Sequence, residues 1–120
     1  MTVRWYSMVV DATDPTRLAS FWAQALGWSI ACQEADEIAI EAPDDPGDHV
    51  PAIVFVRVAG SKTRKNRLHV DLNPDDQTVE VERLAALGAS PVDVGQRNVG
   101  WVVLADPEGN EFCVLRPHNP

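Results

Sequence analysis

Residues 69–76, His69-Val-Asp-Leu-Asn-Pro-Asp-Asp76, repeat the plan of residues 7–14, Ser7-Met-Val-Val-Asp-Ala-Thr-Asp14. Each time an apolar strand runs into an Asp-containing turn, an amphipathic helix follows, and the helix stops at Leu-Gly: Leu26-Gly27 in the first copy, Leu87-Gly88 in the second. A period of roughly 60 residues marks two copies of one supersecondary unit sharing a core. The copies can therefore be compared position by position. Ser7 stands seven residues before Asp14 and His69 seven before Asp76, so the position that carries His in one copy carries Ser in the other.

Working outward, Val3 to Val10 has the β-branched and aromatic content of a strand. Trp5, Ser7 and Val9 fall on one face by alternation. Asp14-Pro15 suits a helix start, with Asp as the cap and Pro in the first turn, where its missing N–H costs nothing. Leu18, Phe21, Trp22, Ala25 and Leu26 then form a buried stripe. Strands are expected near 28–33, 37–41 and 52–58, the last two separated by the acidic, turn-forming loop Pro43 to Asp48. In the second copy, 68–72 is a strand with His69 and Asp71 on one face. Asp75 or Asp76 caps a helix in which Val81, Leu84, Ala85 and Gly88 share a face. Strands follow near 91–94, 99–105 and 111–115, and Asp106-Pro-Glu-Gly-Asn110 forms a tight turn between the last two. The tail from Arg116 is expected to be loose. The reading is one α+β domain over 1–120, built as β-α-β-β-β twice, with module one at about 1–59 and module two at about 66–117, joined by the segment 60–67.

Composition narrows the function classes. The 120 residues carry a net charge of −8, which argues against a nucleic-acid binder, since phosphate contacts need clustered Lys and Arg. No apolar stretch approaches the roughly 20 residues of a membrane span, and Met1 leads straight into strand-like sequence without a leader. A cytoplasmic location is expected. The two cysteines, Cys32 and Cys113, make no disulfide framework.

Three motifs carry a family likeness: the helix Asp14-Pro-Thr-Arg-Leu-Ala-Ser-Phe-Trp-Ala-Gln-Ala-Leu-Gly27, the segment Lys65-Asn-Arg-Leu-His-Val-Asp-Leu72, and Trp101 followed by Ala105-Asp-Pro-Glu-Gly-Asn-Glu-Phe-Cys-Val-Leu115. In this order the chain resembles the glyoxalase-like branch of the vicinal oxygen chelate superfamily. That superfamily includes glyoxalase I, extradiol dioxygenases, and the fosfomycin- and bleomycin-resistance proteins. The resemblance implies two half-barrels facing each other around a cavity, and commonly a homodimer. In the metal-using members it also implies a divalent ion held by the first and last strands of each module, usually through two His and two Glu.

At those positions this chain has Ser7, His69, Cys113 and, in module one's last strand, Val54 or Val56. A serine hydroxyl is a poor ligand beside imidazole, so no metal is expected in a degenerate site. Should one bind, His69 with Glu111 or Cys113 would hold it, and Asp71 shares the His69 face. A Cys113–His69 nucleophile pair is conceivable, against the plainer reading of Cys113 as a small buried residue. His69 could instead serve as a general base in a metal-free enzyme.

Trp22 is expected in the core. Trp5 and Trp101 are candidates for a cavity wall, with ordinary core filling as the alternative for each. In the basic run Lys62, Arg64, Lys65, Arg67, the first and third read as solvated linker residues, and Arg67, on the His69 face, as an anion contact. His49 and His118 read as solvated. The leading expectation is a small-molecule binder, its ligand aromatic or anionic, contacted by Trp5, Ser7, Arg67, His69, Trp101 and Cys113. The alternative is a metal-dependent lyase, isomerase or dioxygenase.

Overall fold

The computed structural model describes residues 3–43 and 50–118. It divides into two compact units, Met1–Ser61 and Lys62–Pro120. The same order of elements recurs in each: β1 (Ser7–Ala12), α1 (Pro15–Leu26), β2 (Ser29–Gln33), β3 (Glu37–Glu41) and β4 (Ala52–Arg57), then β5 (Asp71–Leu72), α2 (Gln77–Leu87), β6 (Ser90–Pro91), β7 (Val102–Ala105) and β8 (Glu111–Val114). Each unit folds one four-stranded sheet, ordered β1-β4-β3-β2 in the first and β5-β8-β7-β6 in the second. The first strand of each module runs parallel to its last, and the remaining pairs are antiparallel. The two β-α-β-β-β modules expected from the repeat are therefore present with identical topology.

Local chemistry sets the helix ends. Asp14 Oδ1 accepts from the Arg17 N–H at 3.2 Å, Pro15 occupies the first turn, and Gly27 takes the left-handed conformation at φ 69°. Asp76 caps α2 in the same way, accepting from Val79 N–H at 3.1 Å, which decides between the two Asp candidates. The Ala89 N–H donates back to the Leu84 carbonyl at 3.0 Å and closes the helix.

In the first unit α1 buries Leu18, Phe21, Trp22 and Ala25 of the expected stripe against Ile38, Ile40, Ile53 and Phe55 of the sheet, with Leu26, its last member, half-buried. Phe21 and Trp22 meet edge to face at 5.2 Å. Arg57 clasps two segments, donating to the Asp36 carboxylate at 2.9 Å and the Ala35 carbonyl at 3.2 Å in one and to the Thr13 carbonyl at 3.0 Å in the other. In the second unit Leu84, Leu104, Phe112 and Val114 form the core. The turn 106–110 is organised by buried Asp106, whose Oδ1 accepts from the N–H groups of Glu108 and Asn110 at 2.9 and 3.0 Å.

Several expectations need correction. β1 begins at Ser7, because its parallel partner opens at Ala52, directly after Pro51, which has no N–H to extend the ladder. Val3, Trp5 and Tyr6 are accordingly exposed. β5 shrinks to Asp71–Leu72, leaving Leu68 and His69 ahead of the ladder, and β7 starts at Val102. Of the four positions that share a face around α2, Leu84 is buried, Val81 and Gly88 are half-buried and Ala85 is exposed. Lys62 is no solvated linker residue, since it pairs with Glu111 at 2.7 Å. The tail is tied down, with Asn73 Nδ2 donating to the His118 carbonyl and the His118 N–H donating to Asn73 Oδ1, both at 2.8 Å. The acidic loop beyond Pro43 and His49 lie outside the described residues.

Candidate functional site

Pairing across the second sheet brings Asp71, Cys113 and Val103 into one row: Asp71 is in register with Cys113, and Cys113 with Val103. Residues in register on adjacent strands point to the same face. This row and His69 line a cavity of about 230 Å³ within the second module. Trp101, Phe112, Val94 and Leu115 supply its apolar lining, and Lys65 and Glu111 its remaining charged groups.

Three donor atoms converge there. Those of His69, Asp71 and Cys113 all lie within 4.8 Å of one another. His69 Nε2 sits 3.1 Å from Asp71 Oδ1, and both side chains are about half exposed. Cys113 is 7% exposed. Burial pushes its thiol pKa up, and the Asp71 carboxylate, by its charge and by accepting the thiol hydrogen bond, pushes it further; Lys65 works weakly in the other direction. The thiol thus gives its hydrogen bond to Asp71. It is held protonated, the opposite of an imidazole-activated nucleophile.

Glu111 is engaged elsewhere. Its Oε2 accepts from Lys62 Nζ at 2.7 Å and its Oε1 from the Asn66 N–H at 2.8 Å. Burial raises its carboxyl, but the Lys62 hydrogen bond, with those from the Asn66 and its own backbone N–H, outweighs burial and holds the pKa below the ordinary value. One carboxylate thereby fixes both ends of the segment Lys62–Asn66, which contains the cavity-lining Lys65. A second link, Asn66 Nδ2 to Asn110 Oδ1 at 3.2 Å, supports it. The far wall is held by Gln77, whose Nε2 donates to the carbonyls of Gly100 and Val114 at 2.9 and 3.0 Å, next to Trp101. Val94 is placed by Gln96, which accepts from the Val94 N–H at 2.8 Å.

Among the residues anticipated from sequence, His69, Trp101 and Cys113 share this cavity, and Glu111 lines it with its carboxylate already paired. Trp101 is 44% exposed. Arg67 is exposed, and Lys65 from the same basic run lines the cavity instead. Trp5 and Ser7 belong to the first module. Trp5 is largely exposed and its indole N–H donates to the Ser7 carbonyl at 3.0 Å. Sequence reasoning undervalued Lys65 and Asp71. The signal for Asp71 was present in its shared face with His69; nothing local distinguished Lys65 from its neighbours.

The donor set suits the kind of ion the superfamily uses. Imidazole, carboxylate and thiol are each competent ligands for a zinc-like ion, and three protein donors is the usual complement of a site with an open position. The His69 and Asp71 side chains are about half exposed and pair with each other at 3.1 Å beside the buried Cys113.

Comparison with known proteins agrees with the architecture. A fosfomycin resistance protein from Listeria monocytogenes superposes with a TM-score of 0.70 at 12% identity, covering 98% of this chain and 94% of its own. A glyoxalase/bleomycin resistance protein/dioxygenase family enzyme from Burkholderia phytofirmans gives 0.66 at 16%, covering 93% and 97%. The trypanothione-dependent glyoxalase I of Leishmania major gives 0.66 at 14%, covering 96% and 87%. At these identities the likeness is one of fold. No curated protein matches the sequence. The family model for the glyoxalase-like domain matches residues 7–115, both modules together, and the chain belongs to that family within the vicinal oxygen chelate superfamily.

Proposed function

We propose that the cavity of the second module binds a small molecule that combines an aromatic body with an anionic group. The observation that carries this reading is the joint lining of one cavity of about 230 Å³ by Trp101 and Phe112 on the apolar side and by Lys65, His69, Asp71 and Glu111 on the polar side, where Asp71 is paired with His69 and Glu111 with Lys62, leaving Lys65 as the cation for a ligand anion. Small-molecule sites are concave and mostly apolar, with a few placed polar groups that fix orientation. Trp101 offers a ring face for stacking. Lys65 lies in the segment Lys62–Asn66, whose two ends Glu111 holds. The reading needs no bound ion.

Calorimetric titration with naphthoate and its neutral isostere naphthamide tests it. Naphthoate binds with a 1:1 stoichiometry, and naphthamide binds more weakly by about fivefold, the size of one exposed ionic contact of about 1 kcal/mol. Lys65→Gln removes the difference between the two. Trp101→Ala weakens both by roughly tenfold, corresponding to about 1.5 kcal/mol of aromatic contact. Equal affinity for the two compounds in the wild type, or titrations unaffected by Trp101→Ala, would refute the assignment.

A further inference from the structure

We infer that Lys62, which is not part of the cavity lining, sets the charge of the ligand the cavity accepts: it neutralises Glu111 and so leaves Lys65 for an anion. The inference rests on the aromatic-anion reading proposed above and names the residue that fixes the sign of the ligand's charge. The charged lining of the cavity is two carboxylates, Asp71 and Glu111, one lysine, Lys65, and His69. Taken alone, that lining favours a cation. Lys62 Nζ lies 2.7 Å from Glu111 Oε2, and the two side chains are only 20% and 11% exposed. Opposite charges this close and this little hydrated cancel each other at a nearby ligand. Asp71 is answered by His69 Nε2 at 3.1 Å. Among the described residues Lys65 is paired with no carboxylate; its ammonium donates to the Asn66 carbonyl at 3.4 Å.

Removing the Lys62 charge shows what it does. Glu111 keeps its place, because its Oε1 accepts from the Asn66 N–H at 2.8 Å. That N–H belongs to the peptide joining Lys65 to Asn66, so the freed carboxylate stands beside the Lys65 backbone and lines the same cavity as the Lys65 side chain. A little-exposed carboxylate without its partner draws another cation, since leaving it uncompensated is costly. Lys65 then answers Glu111, and the cavity prefers a neutral or cationic ligand. Lys62 thus acts on the ligand through Glu111 and Lys65, as a positioning residue. Its stem is seated over Gly109, where a Cβ would lie 4.0 Å from Lys62 Cδ.

The experiment is calorimetric titration of the full chain at neutral pH with naphthoate, naphthamide and the oppositely charged naphthylmethylamine. Wild type prefers naphthoate over naphthamide by about fivefold. Lys62→Met keeps an apolar stem and removes the charge. It brings that preference to about one or below and tightens naphthylmethylamine binding by about fivefold. Lys62→Met combined with Glu111→Gln removes both charges and restores the naphthoate preference to within about twofold of wild type, which a purely structural role for Lys62 would not allow. Circular dichroism checks the fold of each variant. Should Lys62→Met unfold, Glu111→Gln alone is the reciprocal arm: the uncompensated Lys62 raises the naphthoate preference by about fivefold. Equal affinity of wild type for naphthoate and naphthamide overturns the aromatic-anion reading and this inference with it. A wild-type preference that persists in folded Lys62→Met, that the double variant fails to restore, or that Glu111→Gln leaves unchanged in the reciprocal arm overturns the role of Lys62 alone.

Discussion

Replacing Lys62 with Ala should destabilise the second module at neutral pH and do so progressively less as the pH falls. Lys62 and Glu111 are joined at 2.7 Å with side chains only 20% and 11% exposed. A hydrogen bond between charged groups contributes about 1.5–3 kcal/mol. Stranding a fully buried charge costs about 3–5 kcal/mol, an upper bound here because Glu111 keeps the Asn66 N–H and some access to water. The expected loss is about 2 kcal/mol, or about 8 °C in Tm for a chain of this size. The pH dependence follows from the lowered Glu111 pKa. A carboxyl whose pKa is depressed on folding adds stability that is fully present above its unfolded value of about 4.3, and that is lost as pH falls through the lower folded value. The groups acting on Glu111 are Lys62 and the N–H donors of Asn66 and its own backbone. Urea unfolding of wild type and Lys62→Ala at a series of pH values reads both effects. A difference below about 0.5 kcal/mol at pH 7, or one that does not shrink below pH 4, would refute the reasoning.

Ellman's reagent should label Cys32 quickly and Cys113 only on unfolding, because Cys32 is exposed and Cys113 is buried with its pKa raised by burial and by Asp71; two fast thiols in the native protein would contradict this. Leu18→Ala should cost about 2–5 kcal/mol in urea unfolding, since the side chain is fully buried at the α1–sheet contact. Asp14→Ala should cost about 1 kcal/mol through the lost cap. Gln77→Ala should weaken naphthoate binding with little change in fold, by freeing the Gly100 carbonyl beside Trp101; unchanged affinity would remove Gln77 from the support of that wall.

The two-module plan was legible because both copies use the same punctuation: an Asp cap and a Leu-Gly stop. These are local rules, and α1 from Pro15 to Leu26 follows them. Strand ends were harder to read, because a strand ends where its partner ends. Tyr6 has strand-like chemistry, yet Pro51 denies it a ladder. The cavity was partly legible: His69 and Cys113 were brought together by comparing the copies. The roles of Lys62 and Lys65 were not, because they depend on Glu111, 49 residues from Lys62, reaching across to the linker. A charge run looks solvated until a distant carboxylate is found facing it. Asp71 was visible as a neighbour of His69, but its contact with the Cys113 thiol required the register of β5 on β8.

Ligand recognition is proposed for the cavity lined by Lys65, His69, Trp101 and Cys113 of the second module. The most direct test is amide and indole chemical-shift mapping of the full nitrogen-labelled chain during a naphthoate titration. The account predicts saturable shifts that are largest at the Trp101 indole and at the amides of Lys65, His69 and Cys113. Largest shifts at the exposed Trp5 and Tyr6 of the first module, or shifts that never saturate, would contradict it.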